Sequence, residues 1–249
     1  MRRWSLFAFA LLIPWAAQAQ GRLPDGFVYL RVIDPTIVQD MRYAGANNFT
    51  GRPLPGYDAP ECVLRRPAVL ALKRVQADLA RQNLSLKVYD CYRPVRAVTA
   101  MARWAADAHA TPDTSRFYPR LKKNRLFALG FIAGQSAHSR GVAVDLTVVP
   151  WPAPPQPPYD AAARYGACTE PAPTRAPDNS LDMGTGYDCF DSRSFTRDPS
   201  ITAQQRANRA LLLDAMARHG FANYKREWWH FSYPAADART AYDFPIGPR

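Results

Sequence analysis

Four histidines occur in the 249-residue chain, and two of them stand in company that could do chemistry. His138 lies in the run Ser136-Ala137-His138-Ser139-Arg140-Gly141-Val142-Ala143-Val144-Asp145. Gly141 permits a sharp entry into an extended segment, and Asp145 then interrupts apolar residues otherwise fit for burial. A buried, unpaired carboxylate is costly, so Asp145 needs a cation or strong donors. A metal held by nitrogen and oxygen ligands would supply the cation, and so would a salt bridge to an arginine; this fragment leaves both open. The second fragment, Arg226-Glu227-Trp228-Trp229-His230, sets a carboxylate three residues before a histidine in an aromatic stretch and tips the balance to a metal. Three protein ligands plus a water mark a catalytic zinc site, and a neighbouring carboxylate that does not bind the metal is the base a zinc hydrolase needs. Positions three apart face opposite ways in a regular strand, so a bulge or helical turn must aim Glu227 and His230 at one site. Arg93, in Asp90-Cys91-Tyr92-Arg93-Pro94, is always charged and can hold two acceptors, which suits a developing oxyanion; an ordinary salt bridge is the plainer use. The remaining histidines read as structural: His219 stands beside Gly220 at a helix C-terminus, where a cation suits the dipole, and His109 falls near a helix end in the same way.

The elements that must hold these residues are also marked. Residues 66–82 carry Ala68, Leu72, Val75 and Leu79 on one helical face, with Pro67 in the first turn. Residues 84–89 alternate Leu84, Leu86 and Val88 with other neighbours, as a strand does. Pro94 opens a second helix, expected to run to about His109. A second strand is expected over 142–149, with Val142, Val144, Leu146 and Val148 on one face and Ala143, Asp145 and Thr147 on the other. Thr202 and Gln205 form a capping box for a third helix that stops at Gly220, and the aromatic segment 224–233 is a final strand or tight turn. Residues 150–177 hold nine prolines and cannot form a helix or central strand; they read as a surface loop that could also rim the site. Helices and short strands that do not strictly alternate, with no repeat and no linker, point to a single α+β domain.

Arg2 and Arg3, an apolar run over 4–15, and Ala17-Gln18-Ala19 have the form of an export signal over residues 1–19, leaving 20–249 as the mature domain. No stretch approaches membrane-spanning length. Cys62, Cys91, Cys168 and Cys189 are even in number and lack the short spacing of a zinc knuckle, so two disulfides in an oxidising compartment, the periplasm, are expected. Three pairings are open, and locality favours Cys62–Cys91 with Cys168–Cys189. The formal charge is +11, but the cations are scattered and no nucleic-acid motif accompanies them, so a solvated basic surface is expected.

The two chemical fragments resemble the pattern S-x-H-x-x-G-x-A-x-D followed late by E-x-W-H that marks the zinc D-Ala-D-Ala peptidases. A narrower resemblance, to the D-alanyl-D-alanine dipeptidases, adds Asp40-Met41-Arg42-Tyr43, Asn48-Phe49-Thr50-Gly51, Asp90-Cys91-Tyr92-Arg93-Pro94, Met183-Gly184-Thr185-Gly186-Tyr187-Asp188 and Tyr242-Asp243-Phe244-Pro245. The resemblance implies one zinc per chain on His138, Asp145 and His230, with Glu227 as general base and later acid. It implies that Arg93 polarises the scissile carbonyl, that Tyr43 and Asp188 meet the free amino end of a small D-amino-acid dipeptide, and that Ser136 touches substrate beside the metal. The expected architecture is a small, mostly antiparallel sheet with flanking helices and the zinc at the sheet face. Two departures stand out: Phe195, where family members often carry histidine, and a longer proline-rich stretch before Met183. A D,D- or L,D-carboxypeptidase acting on peptidoglycan peptides shares the metal motifs but has no need of the Tyr43–Asp188 clamp. A zinc-stabilised, non-catalytic envelope-binding module would have no need of Glu227 and Arg93.

Overall fold

The computed structural model describes residues 22–234 and 239–249; the expected export signal lies outside the described residues. In chain order the elements are β1 (Phe27–Tyr29), α1 (Leu30–Ile33), β2 (Val38–Gln39), β3 (Val63–Arg65), α2 (Arg66–Ala80), β4 (Leu84–Asp90), α3 (Val95–Ala106), β5 (Ala143–Pro150), α4 (Ala203–Ala217), β6 (Ala222–Asn223) and β7 (His230–Ser232). Among the described residues they build one five-stranded sheet in the order β2-β4-β5-β7-β6, and a two-stranded ribbon of β1 and β3. Only the β2–β4 pair is parallel, so the sheet is mostly antiparallel, as expected.

The helices form where the apolar spacing puts them. Ala68, Leu72, Val75 and Leu79 of α2 are fully buried against Leu86 and Val88 of β4, Val144, Leu146 and Val148 of β5, and Leu212 and Met216 of α4. Each such aliphatic side chain contributes about 1.5–3 kcal/mol on burial, so this face anchors the sheet. Helix α4 opens with the expected capping box: the Gln205 N–H donates to Thr202 Oγ1 at 3.2 Å and the Thr202 N–H to Gln205 Oε1 at 2.9 Å. Helix α3 is shorter than expected. It stops at Ala106, and the Asp107 carboxylate takes the His109 N–H at 2.9 Å, so His109 stands beyond the helix in an exposed turn. His219 is structural as read, and its Nε2 lies 2.8 Å from Asp78 Oδ2, tying the end of α4 to α2.

The opposite face of the sheet is built differently. Ala143, Asp145 and Thr147 of β5 are buried there too. Strand β4 carries an irregularity: Val88 pairs with Leu146, but Asp90 pairs with Asp145, so Tyr89 and Asp90 together oppose one residue of β5. Such a bulge breaks strict alternation, and it turns Asp90 towards the Asp145 face instead of leaving it with Val88 in the core. A second, aromatic-rich cluster on this side includes Tyr43, Phe49, Trp104 and Phe190.

The proline-rich stretch is a surface segment. Ala153, Gln156 and Tyr159 are half-buried while Pro152, Pro154, Pro155, Pro157 and Pro158 are exposed. Packing of every third residue matches the three-residue turn of a polyproline helix. Gln156, Asp178 and Asn179 converge on the buried Lys87 ammonium at 2.7–2.9 Å and fasten the segment beside β4. None of the described helices is long and apolar enough to cross a membrane.

Candidate metal centre

Asp145 on β5 sits directly opposite His230 on β7. His138 reaches the same point from the short turn Ala137–Arg140 that precedes β5. Gly141 ends that turn at φ 71°, where an added Cβ would fall 2.2 Å from the Phe27 ring. Both the backbone conformation and the space therefore demand glycine. His138 Nε2, Asp145 Oδ1 and His230 Nδ1 form a triangle with sides of 3.0, 3.1 and 3.2 Å. His138 Nδ1 lies 2.7 Å from the Cys91 carbonyl oxygen, so Nδ1 carries the proton and Nε2 faces inward with its lone pair. Two ring nitrogens and a carboxylate oxygen thus converge. Tetrahedral zinc, with bonds of about 2.0–2.1 Å, separates its ligand atoms by about 3.3 Å, so the triangle fits such an ion. Tyr187 donates to the second Asp145 oxygen at 3.0 Å and fixes the carboxylate plane. Burial alone would raise the Asp145 carboxyl, but the His138 and His230 rings overrule it and hold it well below the usual carboxylate range.

The spacing of Glu227 and His230 is resolved by a turn. The Glu227 N–H donates to Tyr224 O at 2.8 Å and the His230 N–H to Glu227 O at 3.2 Å, which brings both side chains to the same side. Trp228 and Trp229, each only 2% exposed, anchor that turn in the core. Glu227 Oε2 stands 3.8 Å from His230 Nδ1, beside the triangle and outside it. Burial pushes its pKa up to about 7, with His230 opposing.

Arg93 and His138 flank one cavity of about 310 Å³, which Tyr43, Asp188, Ser136, Glu227, Phe49, Met101, Phe131 and Phe190 also line. The volume is at the small end of ligand pockets. Tyr43 donates to Asp188 Oδ2 at 2.9 Å, both residues being buried. Asp188 takes the left-handed φ of 56°, and burial, followed by the nearby Asp145 charge, raises its carboxyl well above the usual range. Ser136 caps the His138 turn by accepting the His138 N–H at 3.2 Å, leaving its own hydroxyl proton available at the cavity wall. The structure thus gathers His138, Asp145, His230, Glu227, Arg93, Tyr43, Asp188 and Ser136 around one space. Residues 150–177 do not line it, so their reading as a rim over the site is not supported; they cover the neighbouring Lys87 cluster instead. Phe195 lies outside the cavity lining too, under the Arg226 guanidinium at 5.4 Å. Both disulfides are as expected: Cys62–Cys91 adjoins Asp90, and Cys168–Cys189 adjoins Asp188.

The residues that sequence reasoning passed over are Asp90, Tyr57 and Tyr187. Asp90 and Tyr187 stood in fragments already singled out, and a charged residue closing an apolar strand was the available signal for Asp90. Tyr57 had none, because its hydroxyl meets Asp90 only across 33 positions of chain.

A metal-type triangle, a half-buried carboxylate beside it and an arginine facing the same cavity are the parts a hydrolase of the metallopeptidase kind requires. The comparisons narrow this. The family model for D-ala-D-ala dipeptidase matches residues 24–150 and 174–246, and the chain belongs to that peptidase family. The interval between the two matched stretches falls within the proline-rich segment. The chain is similar to the D-alanyl-D-alanine dipeptidase of Streptomyces coelicolor, 32% identical over 223 residues that cover 88% of this chain and 98% of that protein. It is similar to two more proteins of that name: from Enterococcus faecium, 30% identical over 89% of this chain and 98% of that one, and from Enterococcus faecalis, 30% identical over 84% and 92%.

Proposed function

We propose that this chain is an exported, zinc-dependent dipeptidase that hydrolyses free D-alanyl-D-alanine. The observation that carries this reading is the hydrogen-bonded Asp188–Tyr43 pair, buried in the wall of the cavity that His138, Asp145 and His230 also line. A buried carboxylate whose one side-chain hydrogen bond comes from a tyrosine calls for a cation, and the ammonium of a free dipeptide is that cation. The relatives' names and the two disulfides support the substrate and the oxidising compartment.

His138, Asp145 and His230 would hold the ion. When bound, zinc polarises the scissile carbonyl and makes water acidic enough to ionise near neutral pH. Glu227, on the flank of the triangle, takes a proton from the attacking water on a carboxylate oxygen and returns it to the leaving amine nitrogen. Its place on the flank of the triangle, outside the ligand set, lets one carboxylate act first as base and then as acid. Arg93 spends Nε and Nη2 on Asp90, while Nη1 meets only the Met101 sulfur at 3.6 Å. That free N–H is aimed at the carbonyl oxygen as negative charge develops. The Ser136 hydroxyl donates to the substrate beside the metal. The apolar wall of Phe49, Met101, Phe131 and Phe190 excludes water from the space between these groups. Elemental analysis and a D-Ala-D-Ala assay test this together: about one zinc per chain and hydrolysis are expected, with both lost in His138→Ala. Full zinc in His138→Ala would refute the ligand assignment.

A further inference from the structure

Asp90 is completely buried, yet it is neither a ligand nor a wall of the cavity. Its Oδ2 takes Arg93 Nε at 2.9 Å and Arg93 Nη2 at 2.8 Å, and its Oδ1 takes the Tyr57 hydroxyl at 2.6 Å. The guanidinium is therefore gripped along one edge, and the opposite edge, with Nη1, faces the cavity. The Tyr43 ring lies 4.9 Å from the guanidinium carbon and supports the plane from one side. Without the grip, an arginine side chain has many rotamers and a buried carboxylate competing for it: Asp145 Oδ2 is only 3.6 Å from Nη2. An arginine that swung onto Asp145 would draw charge from a metal ligand and leave the carbonyl oxygen unmet.

We infer that Asp90, braced by Tyr57, is the positioning residue that keeps Arg93 aimed at the substrate, its 2.8 and 2.9 Å contacts outcompeting the looser 3.6 Å approach to Asp145. The inference rests on the role proposed for Arg93. Asp90 Oδ2 also lies 3.3 Å from His138 Nδ1, but that nitrogen has the shorter bond to Cys91 O, so metal retention depends little on Asp90.

The test combines a labelling measurement with a double-mutant cycle. Asp90→Asn keeps the side-chain volume, and Tyr57→Phe loosens Asp90 more gently should Asp90→Asn fold poorly. In the purified zinc-loaded protein, phenylglyoxal labelling of Arg93, mapped by mass spectrometry, should speed up in both variants. Each should keep about one zinc per chain. In Asp90→Asn, kcat on D-Ala-D-Ala should fall roughly 10- to 100-fold with KM little changed, the scale of losses when a supporting partner is removed. Asp90→Asn combined with Arg93→Ala should be no slower than Arg93→Ala alone, since Asp90 acts through Arg93. Unchanged labelling overturns the inference whatever the activity. So do additive losses in the double variant, or zinc loss that parallels the fall in kcat. A wild-type protein that fails to cleave D-Ala-D-Ala would instead defeat the dipeptidase reading, and labelling would still decide whether Asp90 holds Arg93.

Discussion

Replacing Asp188 by asparagine tests the substrate class with the least disturbance to the fold. The amide keeps the carboxylate's shape and can still accept the Tyr43 hydroxyl hydrogen bond, which spans 2.9 Å in the native protein. What it removes is a negative charge on a side chain that is 4% exposed. Truncating one partner of a buried, hydrogen-bonded charge pair costs about 2–5 kcal/mol, and each 1.4 kcal/mol is a factor of ten. Asp188 is also destabilised when alone, because burial already raises its carboxyl pKa, so part of its charge is expressed only when an ammonium arrives. The lower half of the range is therefore expected, a fall of roughly 30- to 300-fold in kcat/KM for D-Ala-D-Ala. N-acetyl-D-Ala-D-Ala lacks the ammonium, so the native protein should cleave it far more slowly and Asp188→Asn should change its rate little. The assay is a comparison of kcat/KM for both peptides with both proteins, at fixed zinc occupancy. Native protein that cleaves the acetylated or a longer peptidoglycan peptide as fast as the free dipeptide would refute the clamp and favour a carboxypeptidase.

Glu227→Ala should retain zinc and lose on the order of 10²–10⁴ in turnover, more if the residue also serves as acid; near-normal turnover would contradict its role. Replacing Cys62 and Cys91 together by alanine should weaken zinc retention, because the bridge steadies the Cys91 carbonyl against His138 Nδ1; competition with a chelator measures this, and loss of an outer-shell contact costs about 10- to 100-fold. Asp178 is held well below the usual carboxylate range: burial opposes this, but Arg42 and Lys87 prevail. A depressed folded-state pKa contributes stability above the unfolded value of about 3.9 that is lost as pH falls through the folded one. Denaturant melts should therefore show Asp178→Asn clearly less stable than the native protein at neutral pH, with the gap closing in acid; a pH-independent gap would argue against the ion cluster.

The α+β class, the extents of α2 and α4 and the capping box at Thr202 were legible in the chain because they rest on local periodicity and caps. The sequence also pointed to the three residues that the structure brings together as a candidate metal site, since an aspartate among valines and a glutamate three residues before a histidine are combinations a plain core does not tolerate. It marked Tyr43 and Asp188 only through resemblance, and Arg93 by its chemistry as well. Tertiary structure decided the rest. The separation of Glu227 from His230 becomes a shared direction only through the turn that Tyr224 O and Glu227 O close. Strict alternation would have sent Asp90 into the core with Val88; a bulge at Tyr89 turns it beneath Arg93, and Tyr57 joins it from a distant loop. The proline-rich segment was plainly loop by composition, but whether it covered the cavity or the Lys87 cluster depended on Gln156 and Asn179 meeting an ammonium far away in sequence. Periodicity and spacing report what neighbours along the chain can do together, whereas hydrogen bonds between distant segments exist only once the sheet has brought those segments within about 3 Å.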